Sequence, residues 1–125
     1  MRYLCLVFHE EDTIDALPDS EYNAIIDGVI EYRDELRRSG HYIASSPLQS
    51  VRTATTIRVR NGKVTITDGP FAETKEQLGG FYLIEAVDLN DAIRLASRMP
   101  PACLRSIEVR PLKEIGCGSC VEVPD

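Results

Sequence analysis

The chain has 125 residues, 43% hydrophobic and 27% charged, with a net charge of −6 and a pI near 4.9. This is the length of one domain with ordinary globular composition, able to bury about two thirds of its unfolded surface without a disulfide or metal staple. The acidic balance excludes a general binder of phosphate backbones, and no apolar run approaches the ~20 residues that span a bilayer.

Residues 3–8, YLCLVF, are apolar at every position. A strand with one face in water alternates, so this one is predicted to be central and covered on both faces. The run is too short for a leader, and the cytoplasm is the expected compartment. Pro18-Asp19-Ser20 opens a helix, with Asp19 or Ser20 as its N-cap. Tyr22, Ile25, Ile26, Val29, Ile30 and Leu36 recur at helical spacing and form the predicted buried stripe. Arg37 and Arg38 suit the negative end of the helix dipole, and Gly40 is a natural stop. A short strand is predicted over 41–44, then a polar loop over 45–54.

Asn61-Gly62 is the strongest local signal: a type I′ hairpin turn between strands at 55–60 and 63–67. A two-residue loop pairs Val59 with Val64, Ile57 with Ile66 and Thr55 with Asp68. Another strand, 79–85, is apolar on both faces, and Gly79-Gly80 at its start suits a bulge or a close backbone approach. Asp88 caps a second helix, with Asp91 three residues on. Leu89, Ala92, Ile93, Ala96 and Met99 form its predicted stripe, and Pro100-Pro101 stops it. A last strand spans 106–110, and 112–125 reads as a tail or edge extension. The order is β-α-β-hairpin-β-α-β, a two-layer α+β domain. Two helices cover only one face of a four-stranded sheet, so the other face is expected to pack on a second copy.

Residues 68–85, DGPFAETKEQLGGFYLIE, join an Asp-Gly-Pro turn to a charged loop, a Gly-Gly pair and an apolar strand. This string resembles the signature of the DGPF-domain branch of the YCII-related family, and the rest of 1–111 fits that family's layout. The resemblance implies a ferredoxin-like βαββαβ domain over 1–111 with an extra β-hairpin, paired into a dimeric α+β barrel. Family members often lie beside genes for extracytoplasmic-function sigma factors, so it also implies a partner in sigma-factor signalling. The few known enzymes of the wider family, a lyase-type dehydrochlorinase among them, are thought to use a His-Asp pair.

Topology places the chain's two histidines at opposite ends of the sheet. His9 ends the first strand, beside the loop 68–78; His41 starts the second strand, at the far end. The candidate catalytic group is therefore His9 as general acid or base, with Asp68 or Glu73 orienting its ring. Glu10, Phe71, Lys75 and Glu76 are the candidate ligand-binding residues, with Lys75 suited to an anionic group. Each also has a plain structural reading. Asp68-Gly69-Pro70 makes a turn, residues 73–76 a solvated helical turn, and His9 an exposed strand end.

Four cysteines stand at 5, 103, 117 and 120. Cys5 behaves as a small hydrophobe, and Cys117-Gly-Ser-Cys120 lacks the second C-x-x-C or following helix that metal or redox work requires. The spacing of His9, Glu10 and Asp68 carries no metal-specific pattern, and neither a phosphate loop nor a dinucleotide fingerprint occurs. No cofactor and no metal are expected. The expected partners are a second copy and a small molecule, with neither nucleic acid nor membrane. Two functions stay open: a small-ligand-binding or regulatory module tied to sigma-factor signalling, and a cofactor-independent lyase or isomerase.

Overall fold

The first strand, β1 (Arg2–His9), lies inside a four-stranded antiparallel sheet, as its unbroken apolar run predicts. The computed structural model describes residues 1–99 and 104–115. β1 pairs on one side with β5 (Gln77–Glu85) and on the other with β6 (Ser106–Pro111). The outer strand β2 (Tyr42–Pro47) pairs with β5, giving the order β2-β5-β1-β6. The ladder continues past β6, because the Leu112 N–H donates to the Arg2 carbonyl.

Alternation along β1 defines two faces. Tyr3, Cys5 and Val7 are buried; Leu4, Leu6 and Phe8 are half-buried. The buried set meets Tyr82 and Ile84 of β5, together with Tyr32 and Leu36 of α2 (Asp19–Arg38). Ala92, Leu95, Ala96 and Met99, from α3 (Leu89–Ala96) and the turn after it, complete this core. Leu36, Ile84 and Met99 are almost fully enclosed, and burial of such side chains stabilises by about 1.5–3 kcal/mol each. Tyr32 adds a hydrogen bond across the layer, its hydroxyl donating to the Leu95 carbonyl at 2.7 Å. Arg98 caps the same contact, lying over the Tyr32 ring and bonding Glu35 at 2.7 Å.

The opposite face carries Leu4, Leu6 and Phe8 of β1, paired across the ladder with Leu83, Phe81 and Leu78 of β5. No helix among the described residues covers this open face.

Both helices differ from the periodicity prediction in which side they bury. α2 turns Tyr32 and Leu36 fully inward and Ile25 and Val29 partly, while Tyr22, Ile26 and Ile30 remain exposed. A helix drifts by 100° per residue, so six apolar positions fill an arc wider than one contact face can cover. α3 likewise exposes Leu89 and Ile93 and buries Leu95. At the start of α2 the N-cap is Pro18, without a side-chain cap, and Asp19 sits one position inside, where its charge still favours the dipole. In α3 the Asp88 carboxylate accepts the Asp91 N–H at 2.9 Å, as expected. Asp91 in turn accepts the Val87 N–H at 3.0 Å.

The hairpin has the predicted register throughout: β3 (Thr55–Arg60) and β4 (Lys63–Asp68) pair Ile57 with Ile66, Val59 with Val64 and Thr55 with Asp68. Asn61 and Gly62 have φ of 52° and 76°, the left-handed pair that a type I′ turn requires. The two strands form a separate sheet. A five-residue helix not anticipated from the sequence, α1 (Glu11–Asp15), follows β1 directly. The Pro100-Pro101 stop and Cys103, Cys117 and Cys120 lie outside the described residues.

Candidate functional site

The end of the sheet where β1 stops and β5 begins is shaped by one extra residue. Val7 pairs with Gly80 and Phe8 with Leu78, which leaves Gly79 as a bulge in β5. Gly80 is closely packed, since a Cβ there would stand 3.0 Å from the Ser46 carbonyl oxygen of β2, which would have to give by a few tenths of an ångström. Gly79 is constrained from the other side. A Cβ on it would lie 2.0 Å from Cε1 and 2.5 Å from Nδ1 of His9. The imidazole therefore occupies the space beside the bare backbone of the bulge that a side chain at Gly79 would take.

His9 continues the odd-numbered series of β1 toward the helices. Its Nδ1 is buried and has no hydrogen-bond partner. Burial holds its pKa below the ordinary value and the charge of Arg105 lowers it further, while Glu11, Asp15 and Glu76 pull it back up. Arg105, just before β6, also has a buried, unpartnered Nε, and burial lowers its pKa. Its charge is felt by Tyr82 of β5 and Tyr22 of α2, which places it on the helix side. The Glu76 carboxylate accepts the Ser106 hydroxyl at 2.8 and 3.3 Å. Cys5 faces the same layer, and burial pushes its thiol up to about 11, which makes it inert near neutral pH.

On the open face, the same end of the sheet carries a cleft of about 980 Å³. Phe8 and Leu78 floor it; residues 48–56 form one wall and 70–74 the other. Both walls are fastened. The Glu11 carboxylate accepts the Ser50 hydroxyl at 2.8 Å and the Val51 N–H at 2.9 Å, tying the first wall to α1. The Glu11 N–H donates to Gln77 Oε1 at 3.0 Å, and Gln77 Nε2 donates to the Thr74 carbonyl at 2.7 Å, tying the second. At the hairpin base the Gly69 N–H donates to the Ala54 carbonyl at 2.7 Å and the Thr56 hydroxyl to the Gly69 carbonyl at 2.8 Å. Gly69 has a φ of 98°, so the Asp-Gly-Pro turn needs glycine there. Arg52, Ser50 and Thr53 line one wall and Glu73 the other. The Thr53 hydroxyl donates to the Ser50 carbonyl at 2.7 Å, and the exposed Arg52 guanidinium lies 3.9 Å from the Asp12 carboxylate.

The residues expected to form one site thus divide between two. Phe71 and Glu73 line the cleft, and Phe71 is largely exposed at its rim. His9 and Glu76 belong to the cluster with Arg105 on the helix side. Asp68 closes the hairpin opposite Thr55 and is exposed; Lys75 and Glu10 are also exposed, the Glu10 carbonyl accepting the Thr13 and Ile14 N–H groups of α1. No hydrogen bond joins His9 to Asp68 or Glu73. The reason is parity: neighbours on a strand point to opposite faces, so Phe8 enters the cleft and His9 leaves it. The sequence reading did not single out Glu11, Ser50, Arg52 or Arg105. Only Glu11, inside the acidic run after β1, carried a visible signal. His41 lies at the far end as expected, its Nδ1 3.0 Å from the Glu85 carbonyl.

The YCII-related domain model matches residues 1–116. The chain belongs to the YCII-related family. It is 33% identical over 114 residues to an uncharacterised protein of Rhizobium meliloti (strain 1021), covering 90% of this chain and 92% of that relative. The family match takes in both strands that build the cleft and its two walls, so the site is part of this chain's YCII-related domain rather than an appendage to it.

Proposed function

We propose that this YCII-related protein is a binding module for a small molecule with an apolar or aromatic body and a polar, anionic edge. The cleft carries this reading. Its floor of Phe8 and Leu78 suits a flat apolar group, and the exposed guanidinium of Arg52 on one wall suits the anionic edge. Its volume falls in the range of small-ligand sites, and both walls are held by the Glu11 and Gln77 hydrogen bonds before any ligand arrives. The strand order supports a ferredoxin-like body, and the apolar open face supports pairing of two copies into a dimeric α+β barrel.

The test uses 1-anilinonaphthalene-8-sulfonate, an aromatic sulfonate with the stated chemistry. The protein binds it at one site per chain with enhanced fluorescence. Phe71→Ala and Arg52→Ala each weaken binding several-fold, and Thr53→Trp, at an exposed wall position, fills the cleft and blocks it. Binding that is unaffected by all three substitutions rules out the cleft as the ligand site.

A further inference from the structure

The hairpin is an arm without a resting place on its own protomer. It forms its own two-stranded sheet and makes no extended contact with any other described element. Six residues a strand give it a length of about 20 Å. Ile57, Val59, Val64 and Ile66 share one face through the observed register, and all are between 57% and 67% exposed. This is a contiguous apolar patch on the order of 400 Å², the size at which exposed patches mark interaction sites. A lone two-stranded hairpin is marginal in water, so an apolar face of this kind is stabilised by being covered.

Charge, carried on the face opposite the patch, indicates what the arm is drawn toward. Residues 55–68 contain Arg58, Arg60 and Lys63 against Asp68 alone, a net +2. The whole chain is −6, so the remainder carries −8. The arm is thus complementary in sign to the body of its own kind. It springs from residues 54–56, which border the cleft at the Phe8 and Leu78 end of the open face. When two open faces approach, each arm emerges at the edge of the shared surface.

We infer that the hairpin clasps a second copy of this chain, laying Ile57, Val59, Val64 and Ile66 along the rim of the partner's open face. The basic side chains steer the encounter, and the apolar patch holds it. Two reciprocal arms, each covering its patch and an equal area of the partner, bury roughly 1,600 Å², the size of a standard stable interface. The arm's base is also a wall of the cleft, so docking the arm fixes the mouth of the ligand site. This inference rests on the reading of the open face as a pairing surface and extends it to a second, separable contact.

Sedimentation velocity, with anilinonaphthalene sulfonate binding measured alongside, tests it. The intact protein is a dimer at micromolar concentration. Ile57→Ser with Ile66→Ser weakens the dimer by about ten-fold or more per position, with the far-ultraviolet spectrum unchanged because both residues are exposed. Arg58→Glu with Arg60→Glu weakens it too, and the wild-type dimer loosens with added salt while this variant responds less. Ligand affinity falls in both variants. If both variants stay dimeric while Leu6→Asp on the open face yields monomers, the clasp is overturned and open-face pairing survives. A monomeric wild type overturns both, and ligand binding by that monomer leaves the cleft reading standing. Binding of a labelled duplex oligonucleotide by wild type, lost on Arg58→Glu with Arg60→Glu while the oligomeric state is unchanged, overturns the clasp in favour of a nucleic-acid arm.

Discussion

Gly79→Ala should destabilise the protein only while His9 keeps its ring. The alanine Cβ would stand 2.0 Å from His9 Cε1, whereas ordinary van der Waals contact starts at 3.4 Å. The ring must retreat by about 1.4 Å, more than small shifts in a packed site absorb, so it has to leave its place against the bulge. Forcing an extra methyl into such a site costs roughly 1–3 kcal/mol. Replacing glycine where φ is not positive returns about 0.4–1 kcal/mol by restricting the unfolded chain. The net loss expected is therefore about 1–2 kcal/mol. In a His9→Ala background the space is empty, and Gly79→Ala becomes neutral or stabilising by a few tenths of a kcal/mol. The two sites then couple by about 2 kcal/mol in a double-mutant cycle. Urea unfolding of the four proteins at pH 8, where the imidazole is neutral in both states, measures this. An equal cost of Gly79→Ala in both backgrounds would show that the ring does not occupy the bulge, and the placement of His9 on the helix side would fall with it.

Two further expectations follow from groups already described. His9 has a folded-state pKa below its unfolded value, so the unfolded chain binds the proton first. Stability is unaffected above about pH 6.5, declines as pH drops from there to the folded pKa, and is flat below it. His9→Gln removes that component of the decline, which thermal melts across the range detect; an unchanged profile refutes the shift. Tyr32→Phe removes the 2.7 Å bond to the Leu95 carbonyl. That carbonyl still accepts the Arg98 N–H, so it is not orphaned, and the loss should be near 1 kcal/mol rather than 3. A loss of 3 kcal/mol or more in urea unfolding would mean the ring itself has moved.

What the sequence made legible was what local rules decide. The Asn61-Gly62 turn has one conformation, and it dictated the pairing of Ile57 with Ile66 without help from the rest of the chain. The unbroken apolar run of β1 announced a central strand, and Asp88 announced the start of α3. What could not be read was facing. Whether Tyr22, Ile26 and Ile30 or Ile25, Val29 and Tyr32 turn inward depends on where α2 crosses the sheet, which periodicity alone does not state. The candidate site failed to assemble as expected for a similar reason. His9 and loop 68–78 do share one end of the sheet, but strand parity with the Gly79 bulge sends the imidazole one way and Glu73 the other. Glu11 and Arg105 drew no notice because a charge near a strand end is ordinarily solvated; only the tertiary packing shows one as a fastener and the other as enclosed.

The bulge has a consequence for how finely this end of the molecule is partitioned. Phe8 and His9 are consecutive, yet one floors a chamber open to ligands and the other lies half-buried among charged groups behind the sheet. A slip of a single position in the β1–β5 ladder would exchange them, lining the chamber with a proton-active ring and burying a benzyl group among carboxylates. The alternation of β1, anchored by the buried Tyr3, Cys5 and Val7, resists that slip, and the surplus glycine seats Leu78 rather than a bare backbone opposite Phe8.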